Sequence, residues 1–134
     1  LGAHAQSCAL RIKGRTLDVP REAAGVARFS FEDLCARPLG PSDYLMLAAT
    51  FHTLMIDHIP ALGPEHRNEA ARFVALIDPL SEAKTKLVAS AAAEPDALYP
   101  SGDGSFEFQR TASRLHEMRS LEYMAMERES VDTG

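Results

Sequence analysis

The sequence predicts an α/β fold, and three features carry that prediction. Between Ala9 and Phe31 apolar and polar residues alternate in short runs, as half-buried antiparallel strands require. Between His52 and Ala91 an apolar strand, an amphipathic helix and a second short strand follow one another. From Arg110 onward the apolar residues return every three or four places, the spacing of one helix face.

In chain order, Ala9–Lys13, Thr16–Val19 and Val26–Phe31 read as a β meander over residues 9–31. Gly14-Arg15 and the stretch from Pro20 to Gly25 supply its turns. Ser30 and Asp33 have the spacing of a capping box, which predicts a short helix from Phe31 through Cys35, stopped by Pro38, Gly40 and Pro41. Ser42 is placed to cap the next helix, whose stripe is Tyr44, Leu45, Leu47, Ala48 and Phe51. Residues 42–91 then form that helix and a βαβ unit: strand His52–Ile59, a helix with Ala70, Phe73, Val74, Ile77 and Leu80 on its buried side, and strand Lys86–Ala91. Such a crossover is needed only between parallel strands. Pro95 to Tyr99 reads as one helical turn and 101–105 as a loop. In the 106–128 stretch, Phe106-Glu107-Phe108 alternates like a strand, and Ala112, Leu115, Met118, Leu121 and Ala125 mark the last helix. Glu129 to Gly134 reads as a frayed tail.

Composition narrows the function classes. With 134 residues, 46% of them apolar and 25% charged, the chain is long enough to bury a core. The opening Leu1-Gly2-Ala3-His4-Ala5 lacks the pattern of a secretory signal and reads as an internal cut in a longer polypeptide. Every apolar run is broken by charge or proline before it reaches the ~18–20 residues that span a bilayer. The net charge of −5, with basic residues scattered among acids, lacks the basic footprint of a nucleic-acid binder, and no nucleic-acid partner is expected. Cys8 and Cys35 are far apart and read as free thiols of a reducing compartment, with the cytoplasm expected.

Several chemistries can be weighed residue by residue. Ligands of open α/β sheets bind beyond the carboxyl ends of the strands, which selects Asp57, His58 and Ser90. Asp57 could hold Mg²⁺ there, but the plainer reading is a solvated or hydrogen-bonded strand end. His52 and His58 share one strand face, yet six residues of strand separate them by roughly 20 Å, too far for one zinc ion. No nucleophile elbow supports a hydrolase triad. No G-x-x-x-x-G-K-[ST] loop is present, so the isolated chain is expected to be inactive toward ATP. Phosphoryl-transfer proteins also need cations that respond to the terminal phosphate. Arg110 and Arg114, four apart on the last helix, and Arg67 and Arg72 at the start of the middle helix are the candidates. The plainer reading for all four is surface ion pairing, Arg114 with Glu117 for example. Met118, Met124 and Met126 read as packing residues.

The order of blocks is more informative than any single motif. Arg28–Cys35, Pro38-Leu39-Gly40, Asp43-Tyr44-Leu45, Phe51–Leu54, Arg67–Ala70, Arg72-Phe73, Leu76–Asp78, Lys86–Val88 with Ser90-Ala91, Leu98-Tyr99, Phe106–Thr111, Ser113–Leu115 and Glu117-Met118 together resemble the ZapE family of bacterial cell-division ATPases and their mitochondrial relatives. The resemblance runs from about Gly14 to Tyr123, with Ala71 in place of a frequent arginine and Ser81-Glu82 in place of a usual Tyr-Asp pair. It implies the C-terminal part of a P-loop ATPase of the broad AAA type, whose phosphate loop, magnesium acid and first nucleotide sensor precede Leu1. It further implies ATP and Mg²⁺ as cofactors of the full-length protein, FtsZ as a partner whose polymers are remodelled or destabilised, and work near the inner face of the membrane. A homo-oligomer and peripheral contact with the inner membrane stay open. For mitochondrial relatives the link is to protein quality control. Two rival readings stand beside it: a partner-docking module without direct contact to nucleotide, and an independent small α/β enzyme unrelated to ATP.

Overall fold

The computed structural model describes residues 5–12 and 15–118. Three strands, β1 (Gln6–Ile12), β2 (Arg15–Ala23) and β3 (Val26–Ser30), pair antiparallel in sequence order. The turn between β2 and β3 is the two residues Ala24 and Gly25, with φ of 53° and 84°. Two successive positive φ values belong to the tight hairpin turn whose twist matches that of the flanking strands. A side chain at Gly25 would meet the His52 ring at 2.6 Å, so glycine also leaves room for the chain returning beneath it.

Two further strands, β4 (Thr53–Ile59) and β5 (Lys86–Ala91), extend the sheet in parallel, giving the order β1-β2-β3-β4-β5. The crossover from β3 to β4 carries α1 (Phe31–Cys35) and α2 (Pro41–Thr50), and that from β4 to β5 carries α3 (Arg67–Glu82). Helix α4 (Ser105–Met118) packs on α3. Alternate residues of β3 and β4, namely Ala27, Phe29, Leu54 and Ile56, are buried in the same core as Tyr44, Leu47, Phe73, Leu76 and Ile77 of the helices. The Phe73 ring lies 5.9 Å from those of Phe31 and Phe108, and Phe108 meets Tyr99 edge-on at 5.7 Å. This aromatic chain joins α1, α3 and α4 in one apolar layer.

The start of α1 has the capping box read from sequence, with Ser30 Oγ accepting from the Asp33 amide and Asp33 Oδ2 accepting from the Ser30 amide. Four local expectations are corrected. Helix α2 is capped from Gly40 and not from Ser42: Pro41 fills its first position, and the Asp43 carboxylate accepts from the Gly40 amide at 2.8 Å. Pro20 lies inside β2 and not in a turn. It sits where the β1–β2 register shifts between Gln6 and Cys8, one of the few places in a sheet where a missing amide is tolerated. Phe106-Glu107-Phe108 is the first turn of α4 and not a strand, because Phe108 belongs to a helical series with Thr111, Ala112 and Leu115 while Phe106 points outward, 78% exposed. Strand β1 begins at Gln6, three residues earlier than expected. The turn at Gly14, the helical continuation through Leu121 and Ala125, Met124, Met126 and the tail from Glu129 lie outside the described residues.

Candidate functional site

The carboxyl ends of the parallel strands lie side by side, with Ser30 of β3 in register with Asp57 of β4. Arg28 and Asp57 stand on the face of the sheet away from the buried residues, and the Arg28 Nε donates to Asp57 Oδ2 at 2.6 Å. One residue further on, the β4–β5 register shifts between Ile56 and Ile59. His58 there has φ of 62°, a left-handed conformation uncommon for residues with a Cβ, and its amide donates to Ser90 Oγ at 2.9 Å. Ser90 therefore bonds the bulged residue where the register shift interrupts the ladder.

The charge state of Asp57 follows from this geometry. The hydrogen bond from Arg28 pulls its carboxyl below the usual carboxylate range, partial burial opposes that, and the charges of Arg28 and then His58 add to the pull. The folded state thus holds fewer protons here than the unfolded chain. The stabilisation is present above the unfolded pKa of ~3.9 and is lost as pH falls through the lower, folded value. NMR titration is expected to find Asp57 below the ordinary range and Arg28→Ala to restore it. An unshifted Asp57 in the parent protein would show that the ion pair does not persist in solution.

This pairing bears on magnesium. Asp57 already has a guanidinium on one oxygen, and among the described residues no group of three or more His, Cys, Asp or Glu is placed to hold a metal ion. The residues present do not fit a magnesium site. Two of the five histidines also have local work. His52 bonds Thr53 Oγ1 and the Ala24 carbonyl through its two ring nitrogens, and His66 Nδ1 accepts from the Gly63 amide. Neither cysteine is bonded to the other; Cys35 is buried, and burial pushes its thiol up to about 12 with Arg72 opposing and Glu69 adding to the rise. A thiol held neutral in this way is a packing group.

The four arginines are not gathered into one cluster of contacts. Arg67 pairs with Asp103 at 3.0 Å, tying the start of α3 to the loop before α4, and both side chains are largely exposed. Arg72 donates to the Cys35 carbonyl at 3.0 Å and so caps the end of α1 from α3. Arg114 lies beside Asp78 of α3 at 3.5 Å, a partner from another helix and not the expected Glu117. Arg110 is exposed and has no ion pair or side-chain hydrogen bond among the described residues. Sequence reasoning missed Arg28. Its signal was alternation along β3, which puts it two residues before Ser30 on the same face, but the register that brings it to Asp57 is a tertiary property.

The layered mixed sheet, with its helices on the buried side and polar residues at the carboxyl ends of its parallel strands, defines an open-sheet α/β domain. The family model for AFG1-like ATPases matches residues 1–127, and the chain belongs to that family. It is 36% identical over 126 residues to the cell division protein ZapE of Escherichia coli K12, an alignment covering 94% of this chain and 34% of that protein. It is 31% identical to lactation elevated protein 1 homolog B of Danio rerio, over 85% of this chain and 29% of the relative. An uncharacterized protein of Schizosaccharomyces pombe is 35% identical over 68% of this chain and 20% of its own length. The chain spans about a third or less of the length of these curated relatives. No solved structure matches it.

Proposed function

We propose that the full-length protein hydrolyses ATP with Mg²⁺ and acts in cell division by remodelling or destabilising FtsZ polymers, in the cytoplasm at the inner face of the membrane. In this reading the present chain is the C-terminal part of a P-loop ATPase of the AAA type. Family membership and the likeness to a cell division protein support it. The phosphate loop and magnesium ligands belong to sequence outside this chain, which alone is inactive. Of the candidate cations, Arg67, Arg72 and Arg114 already hold other parts of the fold, whereas Arg110 is exposed on α4 and has no partner among the described residues. That observation carries the assignment of Arg110 as the residue that senses nucleotide or a neighbouring subunit, with Arg114 as its supporting neighbour.

The test is ATP turnover and oligomer formation by the full-length protein. Arg110→Ala is expected to lower turnover at least about tenfold, equivalent to ~1.4 kcal/mol of transition-state stabilisation. If the Arg110→Ala, Arg114→Ala double variant turns over ATP and assembles like the parent, α4 has no such role.

A docking role without nucleotide contact is the second reading, and one observation favours it. Phe106 is 78% exposed and lies four residues before Arg110, so an apolar ring and a cation stand together on the outer side of α4. FtsZ binding abolished by Phe106→Ala with ATP turnover intact is the outcome this reading requires.

A further inference from the structure

We propose that two copies of the protein pack antiparallel through the outer stripe of α4, the Arg110 of each facing the Glu117 of the other about a two-fold axis near Ser113. The proposal deepens, and rests on, the reading of Arg110 as a residue that senses a neighbouring subunit. On a helix, residues three or four apart stack on one side. Phe106, Arg110, Ser113 and Glu117 follow one another at spacings of four, three and four, and all of them are exposed. Phe108, Thr111, Ala112, Leu115 and Met118 take the opposite side, which is buried. The fold therefore uses only one side of α4.

The charges of the stripe are self-complementary. Arg110 and Glu117 stand on either side of Ser113, roughly 10 Å apart along the axis, so they do not pair with each other. Nor does the fold supply their partners. Arg114, three residues before Glu117, turns to Asp78, and neither Arg110 nor Glu117 has an ion pair among the described residues. A second copy running the opposite way exchanges the two ends. An axis beside Ser113 then brings each Arg110, three residues before it, opposite a Glu117, four residues after it. The Ser113 hydroxyl donates back to the Gln109 carbonyl at 3.2 Å, so the residue at the crossing is small and has its donor satisfied, which allows close approach of the helices. Phe106, 78% exposed, extends the stripe one turn beyond Arg110 and supplies the apolar anchor that exposed charge pairs lack. From Phe106 to Glu117 the stripe is roughly 17 Å long. Its contact belongs to the small, reversible class of interfaces.

Sedimentation velocity of the full-length protein over a concentration series tests this pairing, and the parent is expected to self-associate reversibly. Arg110→Glu and Glu117→Arg, each alone, are expected to weaken association at least about tenfold, because two-fold symmetry makes one substitution act twice and turns attraction into repulsion. The double variant Arg110→Glu, Glu117→Arg is expected to associate like the parent, as is an equimolar mixture of the two single variants. A parent that stays a single chain at every concentration overturns the proposal. Single variants that associate normally, or a double variant that does not recover, overturn it as well. If a reversal variant does not fold, crosslinking decides. In a Cys8→Ser background, a short bismaleimide should join copies at Ser113→Cys at least about tenfold faster than at Leu45→Cys, a position 59% exposed on α2, and equal rates overturn the proposal. ATP turnover is read separately: pairs that do not hydrolyse ATP sink the enzymatic reading and keep this one, whereas hydrolysis by a parent that never pairs does the reverse.

Discussion

Replacing Phe73 by alanine is expected to remove roughly 3–5 kcal/mol of stability, measured by urea denaturation of the purified protein. The side chain is fully buried and contacts rings from two other helices at the same 5.9 Å centroid separation. Truncation therefore loses the transfer energy of the ring, opens a cavity, and abolishes two ring contacts that contribute about 0.5–1.5 kcal/mol each beyond burial. Against a typical total of 5–15 kcal/mol, a loss of that size leaves a marginal fold. Phe73→Leu keeps much of the apolar volume and should cost distinctly less. A loss below about 1 kcal/mol for the alanine variant would mean that α1, α3 and α4 do not converge on this ring.

Gly102→Ala is expected to cost roughly 2–4 kcal/mol, a large effect for one added methyl group. Gly102 has φ of 127°, a conformation that residues with a Cβ scarcely adopt. An added Cβ would also lie 2.9 Å from the Pro64 Cα and 2.6 Å from Tyr99 Oη. The tyrosine can move only by giving up its 2.6 Å hydrogen bond to the Asp103 carbonyl, and the backbone at Pro64 cannot move without disturbing the turn that starts α3. The loop carrying Asp103, and with it the Arg67 tether, should loosen first. Hydrogen exchange at the start of α4 would report this, and an alanine variant with unchanged exchange and stability would contradict the strained geometry.

Local chemistry made much of the fold legible. Ser30 and Asp33 announced a helix start because a capping box involves only neighbours, and the stripe from Ala70 to Leu80 announced α3 because its period is set by the helix itself. Phe106 and Phe108 misled because two aromatic residues around one charge satisfy strand alternation, while the core contacts that decide the matter lie in α3 and at Tyr99. Pro20 misled because proline ordinarily punctuates, and the register shift that admits it into β2 depends on β1. The sheet end was legible in part. Asp57 and Ser90 could be placed at strand ends from the βαβ pattern, but the Arg28 contact and the left-handed turn at His58 arise from the register of three strands. The arginine partners were less legible still, since Asp103, Cys35 and Asp78 are brought to them only by helix packing.

The strands occupy the sheet in the order in which they occur along the chain. During synthesis from the amino terminus, each new strand therefore finds its neighbour already placed and need never be threaded between two that have closed. The hairpin between β2 and β3 can form within microseconds, whereas β4 and β5 must each wait for a crossover to be completed. Among the described residues the sheet thus extends at one margin only, from β3 through β4 to β5.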